Sequence, residues 1–521
     1  MLQKLTKVVI LLAKIEKTQK RIASALFIMM TCAVPLYIDH LGYFHLTWRK
    51  YNFFTVCMFI IITAAAIVFY RRYKAEVSFK RQKKFIFPEY ALLGFVFITL
   101  LSSVLSPVKT MSEIFNGVVN RHDGLFTQMC YVLVFFIMAY WYKPNTRDFG
   151  IFGITAIIIS LIGILQFYGM DIFRLWPQET RGWFVPVDNF YNVFARSTIG
   201  NINFMSTYLC IAILLCGFLY VKVESKWRPV WLGASGISFW FLLMTSNSGQ
   251  LGTLAGIVLA VPFIMQSKES IARFIILAST WVGAFAFQRF FYNFLILETE
   301  PIGRLILYVA ITALLLSAGL FLLLFVKGNR QFSWKTGVVL LTVIIVAGFA
   351  GVEIIGRHMN EYNAIYEARE LMHGRIHDDF GTNRVYIWRN ALTVVPDNPL
   401  IGTGPDTFLA VFPEEAQMHY GALYDKAHNE YLQILVCQGI LGLLCYLLFI
   451  GSVLFKSTKP AFSNPMLMAL MAAFTGYIVQ AFFNISLPLA SQILWVMAGI
   501  MVGFLRSSSA IADTNLPGQE S

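Results

Sequence analysis

From end to end the chain repeats one feature: uninterrupted apolar runs of 17 residues or more, separated by polar stretches. Such runs allow few folds. A strand with one wet face alternates apolar and polar residues, and so does a lipid-facing barrel strand. A continuous run of this length fits a helix crossing the hydrocarbon of a bilayer, which needs about 20 residues. Composition agrees, with 57% of the residues hydrophobic and 13% charged, where a soluble domain has roughly half and a quarter. Phe alone accounts for 47 residues, as suits lipid-facing helices with aromatic belts at both interfaces. A soluble enzyme, a secreted disulfide scaffold and a disordered chain are excluded. The expected fold is all-α, a polytopic transmembrane helix bundle.

The runs predict about fourteen spans: 22–41, 53–70, 88–106, 124–142, 149–168, 204–222, 229–246, 250–266, 271–288, 305–326, 335–354, 430–455, 464–483 and 487–505. Loop charge orients them. With the N-terminus inside, the inner loops take 26 of the 41 Lys and Arg and 8 of the 28 acidic residues. The inside is then +18 and the outside −5. Basic residues favour the cytoplasmic side of short loops, so both termini are expected in the cytoplasm of a plasma or inner membrane. The net charge of +13 therefore faces anionic lipid headgroups, and no nucleic-acid partner is expected.

The expected organisation has five parts. A basic amphipathic interfacial segment covers 1–21, with Leu5, Val8, Val9, Leu12 and Ile15 at helical spacing between lysines. Helices 1–11 occupy 22–354, a large extracytoplasmic loop occupies 355–429, helices 12–14 occupy 430–505, and a cytoplasmic tail covers 506–521. Three other outside segments, 107–123, 169–203 and 289–304, exceed simple turns. The seven cysteines, Cys32, Cys57, Cys130, Cys210, Cys216, Cys437 and Cys445, each sit within an apolar run and read as small buried hydrophobes. No Walker loop, nucleotide fingerprint or kinase set is present. Chemistry is thus expected on the outer face, where there is no ATP, and the donor must arrive already activated.

The large loop has internal order. Residues 359–372 are polar and helix-prone. Thr382 or Asn383 can cap a second short helix with Val385, Trp388, Leu392 and Val395 on one face, stopping at Pro396. Asn398–Pro405 reads as a turn, with Pro405 suited to start a third short helix. Arg384 and Arg389 lie on the second helix, and guanidinium forks suit phosphate oxygens. Each can instead pair with Asp378, Asp379, Glu414 or Glu415. His428 opens the twelfth span, where the positive end of the helix dipole favours the neutral imidazole that a general base requires. No helical spacing of metal ligands occurs, and neither a metal nor a cofactor is expected.

Four stretches resemble the O-antigen ligase and O-antigen polymerase family of polytopic glycosyltransferases. Arg384–Phe408, RVYIWRNALTVVPDNPLIGTGPDTF, is similar to that family's Arg, Trp, Ala, then Pro-Leu-x-Gly-x-Gly-Pro pattern. Ala427–Leu443, AHNEYLQILVCQGILGL, resembles its His-Asn opening of a late span. Gly200-Asn201-Ile202-Asn203 resembles a Gly-Asn-Pro-Asn segment, with Ile202 where Pro is usual. Arg121-His122-Asp123-Gly124 is similar to an Arg-x-acid-Gly step of some members. The family commonly carries an Arg in a Ser-Arg-Gly stretch that holds the donor diphosphate; here Ser248 stands near that position.

The resemblance implies inverting, metal-independent transfer of a glycan from a polyprenyl diphosphate to an acceptor hydroxyl at the outer face. It implies His428 as the catalytic base and Arg384 as a diphosphate ligand, with Arg196 and Arg121 as candidates to replace the missing Arg. Asn203, Arg389, Gly404 and Asn429 would support them. The implied partners are the lipid-linked donor, a saccharide, lipid or protein acceptor, and membrane lipids. A transporter or flippase of lipid-linked saccharides is the alternative, against which stand the one-sided loop and the sparse charge within the spans.

Overall fold

The computed structural model describes residues 2–74, 84–119, 121–175, 196–295, 302–325, 334–359, 361, 364–419 and 422–514. Parts of the expected outer segments 169–203 and 289–304 lie outside the described residues. The long helices among the described residues are α1 Leu2–Ile28, α2 Leu46–Lys74, α3 Phe87–Val104, α4 Leu125–Trp141, α5 Thr146–Phe167, α6 Ile202–Lys222, α7 Arg228–Leu242, α8 Asn247–Ile264, α9 Lys268–Leu295, α10 Ile302–Phe325, α11 Trp334–Gly356, α12 Glu430–Ala461, α13 Pro465–Gln480 and α14 Gln492–Thr514, and they overlap the expected spans without matching all of their bounds. Among the described residues, eight helices are long and apolar enough to cross a membrane, and three shorter apolar helices accompany them.

The first helix begins well before the expected first span. No break separates an interfacial segment from a first span: α1 runs through residue 21 and continues into a π-turn, Met29–Ala33, before ending at Leu36. Successive backbone hydrogen bonds outlast the change from amphipathic to apolar patterning, because Ala23, Leu26 and Phe27 pack into the core.

The helix α6 is apolar on every side and buried throughout its hydrophobic stretch, which places it at the centre of the bundle. It packs against α7, α8 and α13. Small residues permit the closest approaches. A Cβ on Gly256 of α8 would lie 2.4 Å from Leu214 of α6 and 2.7 Å from the Ala472 carbonyl of α13. Gly252 and Gly256 form one small-residue stripe on α8, the packing solution available where burial of apolar surface gives no drive between helices in lipid. Six of the seven cysteines are buried and Cys445 is partly so.

A break in α12 carries the large loop. Gly439 has φ 68 and ψ −175, which releases the helix hydrogen bonds on either side. The segment after Pro399 replaces them. Ile440 N donates to Pro399 O (2.8 Å), Leu441 N to Leu400 O (3.1 Å), and Gly404 N to Cys437 O (2.8 Å). Non-helical backbone inside such a bundle must be satisfied in this way. The backbones meet so closely that a Cβ on Gly402 would lie 2.4 Å from Cys437 and one on Gly439 2.4 Å from Leu400. The glycine-rich turn is therefore a docking segment for α12.

Candidate functional site

The loop end of the bundle has its own small apolar core. Ile387, Ala391, Phe408, Phe412, Tyr424 and Ala427 pack with Leu432 and Val436 of α12. Short helices Ala364–Met372 and Phe380–Thr393 form over the expected segments. Two local details differ from expectation. Thr382 and Asn383 do not cap: together with Gly381 they adopt left-handed backbone, with φ between 59 and 66, whereas an N-cap residue is extended. Pro405 does not open a helix either, because Asp406 after it is left-handed and the next turn of helix is Phe408–Val411.

His428 is held between two anchors. On one side Trp388 donates its indole N–H to Ala427 O (3.0 Å), and its ring lies against Phe482 and Phe483. On the other, the Asn429 side chain caps α12 by accepting from Tyr431 N (3.0 Å) and Leu432 N (3.1 Å). The backbone at His428 is left-handed, φ 49. Its imidazole is partly buried and has no hydrogen-bond partner among the described residues. Burial, then the like charges of Arg384 and Arg121, depress its pKa to about 4, with Asp425 opposing and Lys426 adding a little. The ring is therefore neutral at physiological pH and able to accept a proton.

The two arginines beside it differ. Arg121 makes a bidentate pair with Asp425, Nε to Oδ2 at 2.6 Å and Nη2 to Oδ1 at 2.8 Å. Arg384 has no carboxylate within salt-bridge distance among the described residues. Its Nη1 donates to Gly381 O (2.5 Å) and Thr382 Oγ1 (3.1 Å), and its Nε is buried without a partner. The left-handed turn Gly381–Asn383 thus presents two oxygens to the guanidinium and leaves the Nε edge unmet.

Behind this pair lies a buried charge cluster. Lys426 bonds Asp406 and stands 3.7 Å from Asp123; the side chains of Lys426 and Asp406 are each 1% exposed. Burial raises the Asp123 carboxyl well above the ordinary range, although Lys426 opposes it. Lys426 itself is held above the usual lysine value: burial lowers it, and Asp406 and Asp123 outweigh that. The cluster borders a small cavity of about 40 Å³ whose lining also includes Glu430 and Gln433. Asp406, Asp425 and Lys426 were not among the expected site residues, and Asp123 was noticed only inside its motif. Asp425-Lys426 beside a span ordinarily reads as a solvated edge, and no periodicity indicates that Asp406, 20 residues earlier, returns to meet Lys426.

The other expected residues are scattered. Arg389 pairs at the surface with Asp378 (2.5 Å), the alternative noted for it above. Arg196 lines a separate cavity of about 270 Å³ with Tyr43, His45, Thr47 and Asn201, and it is not among the charges that act most on His428. Asn203 takes part through its backbone, its N–H donating to Asn201 Oδ1 (2.8 Å) and its carbonyl accepting from Asn484 Nδ2 (3.1 Å). Gly404 docks on α12 as described. Ser248, on α8, is buried with its Oγ 3.3 Å from Ser206 Oγ of α6. Among the described residues no group of three or more His, Cys, Asp or Glu is placed to hold a metal ion.

Comparison with curated proteins finds no match. Residues 307–447 match the family model described as O-antigen ligase. The matched stretch contains both loop resemblances, Arg384–Phe408 and Ala427–Leu443, together with His428 and the break in α12. The match spans 141 of the 521 residues, so this part of the chain is similar to that family.

Proposed function

We propose that the chain is an inverting glycosyltransferase. It moves a glycan from a polyprenyl diphosphate to an acceptor hydroxyl at the outer face of a plasma or inner membrane, with both termini in the cytoplasm. The observation that carries this reading is His428, which has no hydrogen-bond partner among the described residues and is close enough to Arg384 and Arg121 for both to lower its pKa. The acceptor oxygen attacks the anomeric carbon as its proton passes to the imidazole. The bond from that carbon to the diphosphate oxygen breaks with its electron pair, leaving a lipid diphosphate. Arg384, whose Nε edge is unmet, and Arg121, held by Asp425, stabilise the charge on that leaving group. Arg121 thereby takes the part that an Arg at Ser248 would have played, and Arg196 belongs to a different part of the loop face.

The test uses purified full-length protein, a fluorescent polyprenyl-diphosphate-linked oligosaccharide, and saccharide, lipid-linked and peptide acceptors in turn. The expected products are a glycosylated acceptor with inverted anomeric configuration and one equivalent of lipid diphosphate. Movement of intact donor between the leaflets of proteoliposomes, with no transfer to any acceptor, would replace the transferase reading by a transporter.

A further inference from the structure

Two segments distant in the chain, 117–123 and 425–428, meet at the site, and two charged contacts join them. Arg121 to Asp425 is the first. The second runs through Asp406. Its Oδ1 is bonded to Lys426, while its Oδ2 accepts from Val118 N (2.7 Å) and Asp123 N (3.3 Å). Arg121 lies between those two amides, in a turn closed by Arg121 N to Val118 O (2.9 Å). Lys426 lies two residues before His428. The contact is close: a Cβ on Gly117, which has φ 76, would fall 2.5 Å from Asp406 Oδ2. Asp406 itself is in left-handed backbone, φ 60, so the carboxylate is aimed by a turn that few residues adopt.

We propose that Asp406 is a positioning residue whose carboxylate, shared between Lys426 and the Val118 and Asp123 amides, fixes Arg121 and His428 relative to one another. Rigid placement matters here because the leaving-group ligand and the base must act on opposite ends of one displacement, and a shift of about 1 Å costs on the order of 10²-fold in rate. A buried ion pair is a poor source of stability, since apolar side chains of similar volume do as well. Its geometric effect is different: the Asp406 carboxylate ties Lys426 to the Val118 and Asp123 amides. The inference rests on the reading of His428 as the base.

The experiment compares Asp406→Glu and the double variant Lys426→Met/Asp406→Asn with wild type, and runs His428→Ala alongside. Melting temperature, kcat and KM for the fluorescent lipid-linked donor are measured on the full chain. Asp406→Glu keeps the charge and moves it outward by one methylene, and the double variant removes both buried charges together. The expected result is a near-wild-type melting temperature, a fall in kcat of about 10- to 100-fold, and little change in KM. Wild-type kcat in both variants overturns the proposal, and so does failure of both to fold, which would make the cluster a folding element. If His428→Ala keeps its turnover, the base assignment fails. If His428→Ala is inactive while the Asp406 variants are fully active, only the positioning role fails.

Discussion

Glu430 and His428 stand two residues apart at the head of α12, and the fold treats them in opposite ways. The Glu430 carboxylate is buried and closed off: Tyr446 donates to one oxygen at 2.5 Å and Tyr477 to the other at 3.0 Å. Among the described residues His428 has no partner of this kind, and the guanidinium beside it, Arg384, has an unmet Nε edge. A folded chain ordinarily satisfies its buried polar groups. Where it completes one network and leaves its neighbour incomplete, the incomplete one is the place to look for a ligand. The same contrast separates the arginines: among the described residues Arg121 is matched by Asp425 and Arg384 by no acid within salt-bridge distance.

The largest effect is expected at His428. His428→Ala should slow the chemical step by roughly 10²–10⁴-fold with donor binding nearly intact. Because burial and the two arginines keep the ring neutral, the acidic limb of kcat/KM in the wild type should lie near pH 4 and not at the ordinary imidazole value. Protonation on descending pH removes the base, so activity falls on the acid side only. Removing the like charge of Arg384 should move that limb upward, and a limb that stays in place would break the link between the two residues.

Next comes Arg384. Arg384→Ala should cost about 10²–10³-fold in kcat, as for loss of one group that stabilises developing negative charge. Lys should restore part of this and not all, since an ammonium lacks the fork. Single-turnover rates on folded variants check it; equal rates for wild type and Ala would reject the role.

The two remaining arginines sharpen the comparison. Arg121, already matched by Asp425, should be less sensitive than Arg384, with a loss of about tenfold, or 1.4 kcal/mol, on change to Ala. Arg196→Ala, in its separate cavity, should disturb the chemical step less again. Binding of geranyl diphosphate to the three variants orders them independently, and a ranking with Arg196 first would return it to the diphosphate site.

The smallest effect on turnover belongs to the closed network. Glu430→Ala leaves two tyrosine hydroxyls without their acceptor and should lower stability by about 1–3 kcal/mol, seen as a lower melting temperature. The rate of the folded fraction should stay within a few-fold of wild type.

Much of this was legible in the residues. Apolar runs announce helices because length and hydrophobicity are local properties, and the fold is all-helical as they imply. The roles proposed for His428 and Arg384 start from a helix start and a motif that the residues themselves display. The clamp was not legible. Asp406, Lys426 and Asp123 are ordinary charged residues until the chain folds back on itself, and the contact is made by the break at Gly439 that lets the Pro399–Gly404 turn dock into α12. A glycine within an apolar run signals a break only weakly, since small residues serve close helix packing equally well, as Gly252 and Gly256 do.

The central claim is that His428 acts by accepting a proton and not by filling space. His428→Gln separates these, because Gln fills similar volume and forms hydrogen bonds but cannot take the proton. The measurement is the single-turnover rate of His428→Gln with the fluorescent lipid-linked donor at saturating acceptor, beside its melting temperature. The account predicts a wild-type melting temperature with a rate lowered by roughly 10²–10⁴-fold, close to that of His428→Ala. A His428→Gln protein that turns over at the wild-type rate would contradict it, and His428 would then be a packing residue at the head of α12.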